Sequence, residues 1–91
     1  MIFRRSERFK KAFVGLPAEI QTKALKALEL FGKNQRHPSL RIKKMEGRDG
    51  IWEARVDLKY RFTFHYEKDA GGEIYCVFRN VDNYDECLKN P

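Results

Sequence analysis

The run Tyr60-Arg61-Phe62-Thr63-Phe64-His65-Tyr66 sets a ring at every second position, with Arg61, Thr63 and His65 between. A period of two belongs to a strand, whose successive side chains point to opposite faces. A helix would scatter the same residues around its circumference. The face with Phe62, Phe64 and Tyr66 must find a core, and the face with Arg61, Thr63 and His65 must meet something polar. Ile51–Val56 repeats the pattern, with Trp52, Ala54 and Val56 on one side and Glu53 and Arg55 on the other. Only Asp57-Leu58-Lys59 separates the two runs, so they form an antiparallel hairpin.

The rest of the chain supplies partners for this hairpin. Asp69-Ala70-Gly71-Gly72 is a turn, and the apolar run from Ile74 to Arg79 is a further strand, with Arg79 at its end. Leu40–Met45 reads as a basic strand carrying Arg41, Lys43 and Lys44, closed by the turn Gly47-Arg48-Asp49-Gly50. Ile2–Arg5 can form a short first strand. Ser6 is placed to cap a helix through about Val14, with Phe9 and Phe13 four apart on one side, and Gly15 ends it. Leu16-Pro17-Ala18-Glu19 opens a second helix, with an apolar stripe of Ile20, Ala24, Ala27, Leu28 and Phe31 and stop signals at Gly32 and Asn34. His37 precedes a proline and reads as a loop residue. The expected class is α+β, with two N-terminal helices packed on one face of a twisted, mainly antiparallel sheet of four to five strands.

Ninety-one residues suffice for one small domain, and an apolar share of 42% favours a folded core. A core this thin suggests helices on only one face of the sheet, leaving the other for binding. Residues 1–48 carry 13 Lys/Arg against 4 Asp/Glu, and residues 49–91 carry 6 against 9. A basic first half points to a polyanion, either nucleic acid or an acidic protein. No apolar run near the start or elsewhere has the length of a leader or a membrane span, so a cytoplasmic protein with no membrane partner is expected. Cys76 and Cys87 lack CxxC spacing and a nearby histidine cluster, and read as reduced structural thiols with no metal or other cofactor.

The polar strand faces gather Glu53, Arg55, Arg61 and His65, and Arg79 can reach the same surface. Arginine binds phosphate oxygens with a planar fork. A carboxylate, histidine or tyrosine beside it can move protons. Those parts can bind and cleave a phosphodiester. RNA supplies its own nucleophile, the 2′-hydroxyl, so the constellation suits cleavage that uses no metal.

The segments L-P-A-E-I-Q-T-K-A-L-K-A-L, H-P-S-L-R-I-K-K-M-E-G, I-W-E-A-R-V-D-L-K-Y-R-F-T-F and R-N-V-D-N-Y-D-E follow one another along the chain. In that order they resemble the RelE/ParE superfamily of toxins from toxin–antitoxin pairs. The resemblance covers nearly the whole chain and implies one toxin domain over residues 1–91. It also implies a cognate antitoxin that wraps the toxin with an otherwise poorly ordered segment. Two activities come with it. RelE-like members are endoribonucleases that cleave mRNA, usually on the ribosome, whereas ParE-like members inhibit DNA gyrase without catalysis.

On this resemblance Arg61 falls on an arginine that contacts the scissile phosphate, Arg79 on a frequent catalytic arginine, and Glu53 on a glutamate used as a base. Arg55 and His65 are further catalytic candidates. Arg41, Lys43, Lys44 and Arg48 would hold RNA phosphates. Trp52 and Ala54 stand where RelE carries lysines. Tyr84, before Asp85, stands where close relatives commonly have histidine. It is expected to act as an acid or a base-stacking ring. The same replacement raises the alternative of a catalytically weakened toxin that still binds its antitoxin.

Overall fold

The computed structural model describes residues 1–91. In chain order the elements are β1 (Ile2–Arg5), α1 (Glu7–Val14), α2 (Ala18–Lys33), a 3₁₀ turn (Pro38–Leu40), β2 (Lys43–Lys44), β3 (Trp52–Arg55), β4 (Tyr60–Lys68), β5 (Ile74–Asn83) and α3 (Tyr84–Lys89). The strands form one sheet in the order β1-β5-β4-β3-β2. β1 runs parallel to β5, and every other pairing is antiparallel. The chain is thus α+β, as its alternation and helical stripes imply.

Ser6 caps α1 as expected, its Oγ accepting from the Phe9 N–H at 3.0 Å. The same hydroxyl donates to the carbonyl of Arg79 at 3.1 Å, and the Ser6 N–H donates to the carbonyl of Phe78. One residue therefore starts the helix and pins it to β5. The α2 stripe is buried at Ile20, Ala24, Ala27 and Phe31. The Phe31 ring lies 4.8 to 5.9 Å from those of Phe3, Phe62, Phe64 and Phe78. The core is thus an aromatic cluster between the helices and the alternate residues of β4 and β5.

Three local differences from the sequence reading bear on the site. The expected strand Leu40–Met45 shrinks to Lys43–Lys44, because Pro38 seeds a 3₁₀ turn and Arg41 takes a left-handed φ of 48° that breaks the extended run. β5 does not end at Arg79 but continues to Asn83. Its register slips where Thr63 pairs with Asn80 and Phe64 with Phe78, so Arg79 is the extra residue of a β-bulge. The bulge lets Phe78 and Val81, three apart, both reach the core.

The third difference is α3, a helix absent from the elements expected above. Asn83 caps it, accepting from the Glu86 N–H at 2.9 Å. This helix and Asn90–Pro91 lie on the face opposite α1 and α2. Thr63, between the core residues Phe62 and Phe64, donates its hydroxyl to the Pro91 carbonyl at 2.7 Å. The Cys87 thiol donates to the Arg61 carbonyl at 3.5 Å. The face expected to be open is therefore covered along its middle. No helix is long and apolar enough to cross a membrane.

Candidate functional site

Alternation along β3 and β4 places Glu53 and Arg61 on the face away from the helices. Lys43 joins them, because the β2–β3 register sets it opposite Glu53. The Glu53 side chain is 7% exposed, yet its carboxylate has only two ion-pair partners, Arg61 Nε at 3.9 Å and Lys43 Nζ at 4.0 Å. Both lie beyond hydrogen-bond range. A buried carboxylate held between two cations, with no hydrogen bond from either, retains free lone pairs.

Tyr84, the first residue of α3, closes the other side of this groove. Its N–H donates to the Lys59 carbonyl at 2.7 Å, anchoring α3 on the β3–β4 turn. Its ring carries the Arg61 guanidinium 5.0 Å from the centroid, within cation–π range. Lys43, Glu53 and Tyr84 line two adjoining clefts. One is completed by Arg41, Arg55 and Arg61, and the other by Arg48, Met45 and Leu88. The structure thus brings Glu53, Arg61, Tyr84 and Lys43 together, with Arg41 and Arg55 at the rim.

Of the remaining candidates, Lys44 and Arg48 line the second of these clefts, and Arg79 and His65 are placed elsewhere. Lys44 sits opposite Trp52, its ammonium 5.5 Å from the indole ring centroid. Arg48 donates to the carbonyls of Leu88 and Lys89 at the end of α3. Arg79 and His65 lie beyond the covering segment. Arg79 donates from Nε to the Pro91 carbonyl at 3.1 Å and from a terminal nitrogen to His65 Nδ1 at 2.8 Å. Burial, reinforced by the charges of Arg8 and Arg48, pulls Arg79 below the usual arginine range. Arg8, Arg79 and His65 share a cleft with Ser6. The single polar face inferred from alternation is thus divided in two by α3 and Asn90–Pro91.

Arg61 is also less free than a phosphate ligand would be. One terminal nitrogen donates to the carbonyls of Asp57, Tyr60 and Leu58 at 2.7, 3.0 and 3.3 Å. Asp57 organises that turn through bonds from the N–H groups of Lys59 and Tyr60 to its Oδ1. Burial pushes its carboxyl up, but those N–H groups and the Lys23 ammonium outweigh it and hold the group below the usual value.

Sequence reasoning missed Arg8 and Asn80, which both donate to the Asn90 carbonyl at 2.8 and 2.7 Å. Their role depends on α3. The signal for that helix was present in Asn83-Tyr84-Asp85-Glu86, an Asn cap with acidic residues in the first turn. Both cysteines are free and buried, and burial pushes each thiol up to about 12. No group of three or more His, Cys, Asp or Glu side chains is arranged to hold a metal.

No protein-family model and no curated protein matches the sequence. Solved structures match the backbone along nearly its whole length. YafQ from E. coli strain BL21(DE3) superposes with a TM-score of 0.71 at 13% identity, over 94% of this chain and 96% of that one. A chain of the RelB–RelE antitoxin–toxin complex from Methanococcus jannaschii gives 0.66 at 20% identity, over 98% and 96%. The YoeB/ParE toxin from Agrobacterium tumefaciens gives 0.69 at 12% identity, over 92% and 99%. The backbone path is common ground at identities where side chains are mostly replaced. The chain therefore has the fold of the RelE, ParE and YafQ toxins.

Proposed function

We propose that the chain is the toxin of a toxin–antitoxin pair and an endoribonuclease that cleaves mRNA on the ribosome, with an antitoxin as its protein partner. The observation that carries this reading is the Glu53 carboxylate, buried between Lys43 and Arg61 without a hydrogen bond from either and facing a groove beside Tyr84.

In the proposed reaction Glu53 takes the proton of a ribose 2′-hydroxyl. The 2′ oxygen attacks the adjacent phosphorus, and charge builds on the phosphorane oxygens. Lys43 and Arg41 stabilise that charge from the rim, and Arg61 holds Glu53 and the Tyr84 ring in place. The bond from phosphorus to the 5′ oxygen breaks, and the Tyr84 hydroxyl supplies the proton that oxygen needs. The products are a 2′,3′-cyclic phosphate and a free 5′-hydroxyl. One positioned acid or base contributes about 10²–10⁴-fold, so the scheme also needs accurate substrate placement, which a ribosome supplies.

Primer extension on translated mRNA, comparing wild type with Glu53→Gln and Arg61→Ala, tests the proposal. Cleavage stops in wild-type samples that vanish in Glu53→Gln are expected. Growth arrest by wild type without any cleavage stop would sink the nuclease reading.

One observation favours the weakened-toxin reading. Arg61 is engaged with the carbonyls of its own turn and Arg79 with Pro91 and His65, so two arginines of the expected phosphate clamp are already occupied. On that reading Tyr84→His raises toxicity strongly. Gyrase supercoiling with purified protein separates both from a ParE-like inhibitor.

A further inference from the structure

Arg55 and Arg61 face each other directly in the β3–β4 register. Like charges placed opposite across strands are destabilising unless something neutralises them. Arg61 is neutralised by three turn carbonyls and by Glu53. Arg55 is not. Its Nε is buried without a hydrogen-bond partner, and none of the ion pairs in the molecule includes its guanidinium. A buried donor left without a partner costs stability, more so when charged.

The position of Arg55 says what could supply the missing partner. β2 pairs with β3 only at Glu53 and Trp52, so Arg55 lies beyond its end, on an edge that β2 does not cover. From there it lines two clefts. One is the groove of Glu53 and Tyr84. The other lies against α2, with Lys23, Lys26 and Ser39. Lys23 shares its charge with Asp57 at 3.4 Å, whereas Lys26 has no ion pair. An arginine fork with a lysine beside it is the donor set for a phosphate group.

We infer that the α2 cleft is a second phosphate subsite for single-stranded RNA. A strand leaving the Glu53–Tyr84 groove crosses the sheet edge at Arg55, and its next phosphate seats between Arg55 and Lys26. This inference rests on the nuclease reading of the groove and extends it. It gives Arg55 a positioning role and explains why an unpaired guanidinium is retained there.

The test is equilibrium binding of 2′-O-methyl oligoribonucleotides, which cannot be cleaved, in lengths of three and nine nucleotides and at several salt concentrations. The nine-mer should bind wild type more tightly and with a steeper dependence on salt. Lys26→Met should flatten the nine-mer slope of log affinity against log salt by about 0.7, the value of one single-strand phosphate contact, and leave the three-mer unchanged. Arg55→Met should weaken both lengths while raising the melting temperature, since it removes a buried donor that has no partner. That rise separates lost binding from lost folding. Nine-mer slopes equal to wild type in both variants overturn the subsite and leave the nuclease reading standing. Failure of wild type to bind either length also overturns the subsite, while the nuclease reading is judged by cleavage of translated mRNA.

Discussion

Arg79 donates to Nδ1 of His65 at 2.8 Å, while His65 Nε2 lies 2.8 Å from the Glu67 carboxylate. A guanidinium has no acceptor, so Nδ1 must be the accepting nitrogen and Nε2 must carry the proton. The three side chains form a relay along one face of β4 and β5. The bond from His65, followed by the charges of Arg4 and Arg79, draws the Glu67 carboxyl below the usual glutamate range despite its exposure.

Nitrogen NMR at neutral pH should accordingly find His65 as the Nε2–H tautomer. A carboxyl lowered by folding contributes stability above its unfolded pKa and loses it as pH falls through the folded value. Carbon-detected titration of Glu67 should place its midpoint below the usual glutamate value. His65→Ala should return it upward, and an unmoved midpoint would contradict the relay.

Glu53→Gln keeps shape and burial but removes the base. Cleavage of translated mRNA should drop by about 10²–10⁴-fold, with the circular dichroism spectrum unchanged. A variant as active as wild type would remove Glu53 from the mechanism.

Phe31 is fully buried against four other rings. Phe31→Ala should cost about 3–5 kcal/mol by urea denaturation. That is a large part of the roughly 5–15 kcal/mol that holds a domain together, so much of this variant should be unfolded at 37 °C.

Asp57 is held below the usual carboxylate value because bonds to its ionised form outweigh burial. Its stabilisation is present above the unfolded pKa of about 3.9 and is lost as pH falls through the lower folded value. Asp57→Asn should therefore be less stable than wild type near neutrality, with the gap closing below about pH 4. Urea midpoints across that range check the sign.

Cys76 and Cys87 are buried, with thiols pushed up to about 12 by burial. The thiolate is the reactive form. A thiol reagent at about pH 8 should label neither cysteine in the native protein and both in guanidinium. Rapid native labelling at Cys87 would show α3 lifting from the sheet.

By itself the sequence determined the layered α+β architecture, the core and the residue types facing away from it. The alternation of β3 and β4 assigns Phe62 and Phe64 to the core and Glu53 and Arg61 to the other side, and the α2 stripe needs no tertiary information. Both rest on side-chain periodicity, which the local chain dictates. Tertiary structure alone decided how the polar face is used. The bulge at Arg79 exists because Phe78 and Val81 must both reach one core. The covering of the face by α3 depends on bonds between residues far apart in the chain, such as Thr63 to Pro91 and Arg8 to Asn90. The polar tail after Phe78 is thus a continued strand and a capped helix that carries Tyr84 to Glu53, while the carbonyls that follow divide Glu53 and Arg61 from His65 and Arg79.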